Sequence, residues 1–285
     1  MLYFPTINRC IQSSASVRQH VAIPELTWEP TIVDDPDGGR IVLWPYLPCV
    51  RMPAKLRPRK WDAVALISSL DEIEILREED IQDKQSPGVH VESANHSGTS
   101  LGMLVRDLRT LEIDGPYIPD PEILRLIRHA ENARNGLPIY PVIPSLEDER
   151  WADWLSSSAD EQVTLRNLLS TLRRSKRWRK RREDAIKQVK INPQVDPNLG
   201  AASTVCAAWW LEERAGLSQR LIDERTRRMC SRIRGALSNL RNLHQHASNT
   251  EGPSILVPVQ QAQVPSLAAE LHLTVEVEPI VAEGH

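Results

Sequence analysis

The stretch DPEILRLIRHAENARNGLPIYPVIP, residues 120–144, decides the reading of the fold. Asp120 is an N-cap residue and Pro121 occupies the first helical position, where its missing N–H costs nothing. Ile123, Leu124, Ile127 and Ala130 recur at helical spacing and form one apolar face. Asn135–Gly136 closes the helix, because those two residues tolerate the left-handed conformation at a helix end. LPIYPVIP, residues 137–144, then reads as a buried strand. Upstream, RTLEIDG (109–115) reads as another strand, stopped by Gly115–Pro116. Strand, helix and strand with short connections predict a parallel βαβ unit.

Working outward from this unit, WDAVALISSL (61–70) predicts a buried strand ending in serine. DEIEILREEDIQDK (71–84) follows with helical spacing and acids at its start, where the helix dipole favours them. SPGVHVESANHSGTS (86–100) reads as a loop or short strand, and SLGMLVRDL (100–108) as a short amphipathic helix. Residues 1–60 are dense in Pro and turn signals, which forbids a long helix; RIVLW (40–44) within them reads as an edge strand or extended arm. Residues 145–250 read as almost entirely helical. SILVPV (254–259) then predicts a strand, VPSLAAELH (264–272) a short helix and LTVEVEP (273–279) a last strand. The expected architecture is α/β: a mostly parallel sheet flanked by helices, with a large helical insertion and a Pro-rich N-terminal extension. Its divisions are 1–60, 61–144, 145–250 and 251–285.

A length of 285 residues suffices for a proper buried core. With 41% hydrophobic and 26% charged residues, the composition is that of a soluble globular protein. No run of about 18 apolar residues occurs, so no membrane span is expected. The first twenty residues lack the basic start and apolar block of a secretory signal. Cys10, Cys49, Cys206 and Cys230 are scattered without paired metal spacing, which favours a reducing cytoplasm over a disulfide framework. Cys206 and Cys230 read as small core residues. Aromatic usage is skewed toward Trp, eight against one Phe, and the pairs Trp151/Trp154 and Trp209/Trp210 are candidates either for helix packing or for an interface in a hetero-complex or homo-oligomer.

The run RRSKRWRKRR, residues 173–182, places eight cations among ten residues of a chain whose net charge is −3. Leu165, Leu168, Leu169 and Leu172 form an apolar seam before it, and Ala185, Ile186 and Val189 resume the seam after it. Between them Trp178 is the one apolar residue, so the run must meet solvent or an anionic partner. Arg173, Arg174, Lys176, Arg177, Trp178, Arg179, Lys180, Arg181 and Arg182 are therefore the candidate binding set. An acidic protein surface is the leading partner, with DEIEILREED (71–80) as an intramolecular candidate. Nucleic acid is the rival, with Trp178 able to stack on a base.

Chemical motifs are sparse. His90, Glu92 and His96 are possible ligands for a divalent metal, although their spacing matches no tight zinc signature. His244 and His246 read as surface residues complementing a helix end. The chain lacks GxSxG, GxGxxG and GxxxxGK[ST], so no nucleophile elbow, dinucleotide fingerprint or P-loop is expected, and no cofactor is assigned. The helix LIDERTRRMCSRIRGAL (221–237), followed by the strand, turn and helix of SILVPVQQAQVPSLAAEL (254–271), resembles the TraB/ChaN/Tiki superfamily and the related erythromycin-esterase-like proteins. Glu224, Arg225, Arg228 and Met229 match the helix part of that pattern. The resemblance spans residues 62–280 and implies an α/β fold with a hydrolytic centre, with or without a divalent metal, on Glu224, Arg225 and Arg228. The pattern departs where the C-terminal turn should hold Gly and His: it reads Gln260, Gln261 and Gln263, and the first strand also lacks its Gly-x-x-His end. Gln is a poor metal ligand and no general base. The resemblance thus implies a catalytically degraded binding or scaffold protein, with an active hydrolase as the alternative.

Overall fold

In a computed structural model the residues described are 22–163, 174–190, 192–243 and 252–283. They form a mixed α/β protein whose five-stranded sheet is mostly parallel and flanked by helices. The strands are β1 (Thr31–Asp34), β2 (Arg40–Tyr46), β3 (Ala63–Leu66), β4 (Ile139–Pro141) and β5 (Ser254–Gln260), in the order β1-β2-β5-β3-β4. β1 runs antiparallel to β2; the other pairings are parallel. RIVLW is therefore interior: β2 pairs with β5 along its full length, from Arg40 against Ser254 to Tyr46 against Gln260. The β1–β2 turn depends on Gly39, whose φ is +86° and where an added Cβ would lie 2.7 Å from the Pro253 carbonyl oxygen.

The decisive unit forms as its residues dictate. In α4 (Pro121–Asn132), the Asp120 carboxylate accepts the backbone N–H groups of Glu122 and Ile123, with Pro121 next to the cap. Its apolar face is buried, and Asn135 and Gly136 beyond its end both have positive φ. The strand before the helix differs from expectation. Residues 109–115 form turns and bends, and β4 pairs instead with β3, Val64 against Ile139. Glu122, fully buried, explains how the earlier chain is held there: its carboxylate accepts the Met52 N–H at 2.9 Å and ion-pairs with Arg57 and Arg125.

Alternation along the strands divides the core into two layers. Ile255, Val257 and Val259 of β5, with Ala63 and Ala65 of β3, face α5 (Glu149–Gln162), α8 (Gln219–Leu243) and α9 (Val264–Leu273). Leu256, Val64 and Leu66 face α1 (Leu70–Gln85), α3 (Ser100–Leu108), α4 and α7 (Pro197–Glu213). Cys206 and Cys230 are buried as expected, and burial pushes both thiols well above their ordinary pKa. Among the described residues no helix is long and apolar enough to cross a membrane.

Two other segments depart from the sequence reading. VHVESANH forms a helix, α2 (Val89–His96), begun by Gly88 at φ +82°. LTVEVEP forms no strand after α9. Val275 and Val277 point outward, 84% and 41% exposed, and the segment crosses α8 instead. That crossing requires Gly235, where a Cβ would fall 1.8 Å from the Glu278 carbonyl oxygen. The Glu278 carboxylate then binds Arg228 and Arg232, so the apparent strand alternation encodes a strap across a helix.

Candidate functional site

The basic run forms much of α6 (Arg174–Gln188), which packs on α7. The Leu165–Leu172 seam, Arg173, His244, His246 and Cys10 lie outside the described residues. Trp178 turns inward. It is 6% exposed, and its indole N–H donates to Asp107 Oδ2 at 2.9 Å. It is thus a buried anchor and not a base-stacking platform. Arg177 meets Glu212 through Nε at 2.8 and 2.9 Å, and that carboxylate is 3% exposed. Arg182 pairs with Asp107 at 3.1 Å, and Arg174 donates to the Gly98 carbonyl. The acids that meet the run, Asp107 and Glu212, belong to α3 and α7; Asp80, in the acidic stretch of α1, pairs with Lys84 and Arg128. Arg181 is partly buried, its Nε without a partner. Lys176, Arg179 and Lys180 remain exposed.

On the flank of α6 that carries Ile186 runs an apolar groove of about 210 Å³ between α3, α6 and α7. Leu111, Ile186, Val189 and Val205 line it, with Arg182 at its lip. Ile186 is 65% exposed, although its spacing from Ala185 and Val189 had assigned it to the seam. The helix turns 100° per residue, so Arg179 lies two turns from Ile186 on the same side. Asp107 of α3 is the acid that lines the groove.

On α2, His90, Glu92 and His96 do not converge. His90 and Glu92 are two positions apart, about 200° round the helix, which places them on opposite sides. Glu92 binds Arg109 at 2.5 Å, and that guanidinium holds its carboxyl below the ordinary range. His96 Nδ1 lies 2.8 Å from the Glu92 carbonyl oxygen, while His90 Nε2 is buried without a partner. Among the described residues no group of three His, Cys, Asp or Glu side chains is arranged to hold a metal.

Glu224, Arg225 and Arg228 all line one open cleft of about 540 Å³ beside α8. Glu224 is exposed and pairs with Arg220 one turn back. Arg228 is clamped: two bonds of 2.8 and 2.6 Å to Asp148, and two of 3.0 and 2.9 Å to Glu278. Burial works against its charge, but the two carboxylates outweigh burial and raise its pKa. They are themselves held low by the arginines. Arg225 behaves differently. No carboxylate among the described residues lies within ion-pair distance; its guanidinium sits 5.8 Å from the Trp154 ring, and its Nε is buried without an acceptor.

Of the turn residues, Gln261 is buried and structural, accepting from Ser203 and donating to the Thr27 carbonyl. Gln260 and Gln263 line a second cavity, which Arg225 shares with Arg214 and Trp209. Neither Arg214 nor Trp209 carries a sequence signal for this role. Trp151 and Trp154 stack inside the core at 4.7 Å, and Trp210 is buried, so three of the four helix tryptophans considered for an interface are interior. No protein-family model, curated protein or solved structure matches the chain.

Proposed function

We propose that the chain is a non-catalytic, cytoplasmic α/β binding protein, and that the helices between β4 and β5 form an insertion presenting α6 to an acidic, amphipathic segment of another protein. The observation that carries this reading is the apolar groove on the side of α6 that also presents exposed Arg179. Apolar side chains of the partner would enter along Ile186, while its acids would meet Arg179 on the same side and Lys176 and Lys180 farther round the helix. Burial of Trp178 favours a protein over a nucleic acid, since it removes the ring on which a base would stack.

The test is anisotropy of a labelled acidic amphipathic peptide, with single- and double-stranded oligonucleotides measured in parallel. The groove reading expects peptide binding that weakens at least tenfold in an Arg179→Glu/Lys180→Glu variant and again in Ile186→Ser. Both changes lie on the exposed side and leave the Arg177–Glu212 pair intact. Tight oligonucleotide binding with a steep salt dependence, and none to the peptide, would replace it with phosphate recognition.

A TraB/ChaN-like hydrolase is the second reading, favoured by the shared cleft of Glu224, Arg225 and Arg228. Ester hydrolysis that requires added Zn²⁺ or Mn²⁺ and is lost in Glu224→Gln would establish it; equal rates in the variant would end it.

A further inference from the structure

The order of strands creates a crevice independent of α6. The chain enters β5 from α8 and leaves it into α9, both on one face of the sheet, whereas neighbouring β3 leads into α1 on the other. Connections diverging from adjacent parallel strands open a gap at their C-terminal ends, the usual ligand position in open α/β sheets. Here the gap is a cavity of about 220 Å³, bordered by Ile67 after β3, Gln260 at the end of β5 and Tyr46 at the end of β2.

Three residues on its wall each carry a buried donor without an acceptor: Arg225 Nε, Arg214 Nε and the Trp209 indole N–H. Neither guanidinium is within ion-pair distance of a carboxylate among the described residues. Each instead faces an aromatic ring, Arg214 at 4.7 Å from Trp210 and Arg225 at 5.8 Å from Trp154. Stacking offsets part of the cost of burying a cation but leaves the N–H groups unfilled. Burial lowers the pKa of both arginines from their ordinary value. Two neighbouring, partly buried guanidiniums whose nearest acids, Asp223, Glu72 and Glu213, form no ion pair with them are only partly compensated, and an anion in the crevice would supply both charge and acceptors.

The remaining walls restrict that anion. Ile222, Leu217, Met229 and Trp210 give the wall an apolar part against which a ring can pack, beside the polar Gln260, Gln263 and Thr226. Glu213, also on the wall and accepting from Ser100 at 2.6 Å, disfavours a second negative charge. An apolar cavity of roughly 150 Å³ admits benzene, so this one has room for a ring and a carboxylate. We infer that the crevice is a binding site for a small monocarboxylic acid with a compact apolar body, its carboxylate received by Arg214, Arg225 and Trp209.

Calorimetric titration of the full chain with benzoate, benzamide, phenyl phosphate and inorganic phosphate tests this. Saturable benzoate binding is expected, at least tenfold tighter than benzamide or either phosphate, and weakened at least tenfold in Arg225→Gln and Arg214→Gln. Trp209→Phe keeps the ring and removes the N–H; its several-fold loss serves if an arginine variant fails to fold. Benzamide binding as tightly as benzoate, phosphate binding as tightly, variants of unchanged affinity, or no saturable benzoate binding would each overturn the site. An Arg179→Glu/Lys180→Glu variant should bind benzoate normally, which separates this result from the peptide test.

Discussion

Helices α6 and α8 are both rich in arginine, yet they use it in opposite ways. On α6 the cations are consecutive, so they point around the whole helix: Arg177 and Arg182 reach inward to acids while Lys176, Arg179 and Lys180 face water. On α8 the arginines are spaced along an apolar stripe, and most are spoken for. Arg228 and Arg232 share Glu278, and Arg234 and Arg241 share the buried Asp35. Charge density made α6 conspicuous, but spacing put α8 to work inside the fold. The residue best placed for a ligand, Arg225, belongs to the quieter helix.

The contrast can be broken most severely at Asp35. Asp35→Ala removes the carboxylate shared by two arginines, one of them 7% exposed, and an acceptor from the β1–β2 turn. Urea unfolding should show a loss of about 3–5 kcal/mol. An effect below about 1 kcal/mol would mean that α8's pairs are no more structural than surface ones. On α6, Glu212→Ala frees Arg177 and should cost less, about 2 kcal/mol, because that guanidinium can turn toward solvent.

Acid distinguishes the helices further. Asp148 and Glu278 have folded pKa values below their ordinary ones, because Arg228 and Arg232 favour their charged forms. Their contribution is therefore complete above about pH 4 to 4.5 and declines as pH falls through the lowered folded values. Arg228→Met should reduce this acid-dependent loss between pH 4.5 and 2.5, measured by thermal unfolding. An unchanged slope would locate acid sensitivity elsewhere. The smallest effect belongs to Lys176→Ala/Arg179→Ala/Lys180→Ala, which should shift stability by less than about 0.5 kcal/mol. A larger loss would show these cations to be structural as well.

What the sequence revealed, and what it concealed, follows the range of each interaction. α4 was legible because Asp120, Pro121 and Asn135–Gly136 act within a few residues of one another. β3, β5 and α9 were legible from short apolar runs. Placement of β2 inside the sheet was not, because Pro45 signals an edge and the partner strand lies more than two hundred residues away. The strap at 273–279 imitated a strand by alternation, and only Gly235 on a distant helix explains its path. At the candidate sites, cationic identity was visible but occupancy was not. Glu212 lies 35 residues from Arg177 and claims it, whereas the unfilled donors of Arg214 and Trp209 exist only in three dimensions.

The β2–β5 pairing also sets a timetable. Synthesis at roughly 5–20 residues per second separates the emergence of these two strands by about ten to forty seconds. Until then Ile41 and Leu43, fully buried in the finished sheet, have no β5 beside them. The β1–β2 hairpin must therefore wait with one edge open, the condition under which a nascent chain invites a chaperone or a neighbouring strand.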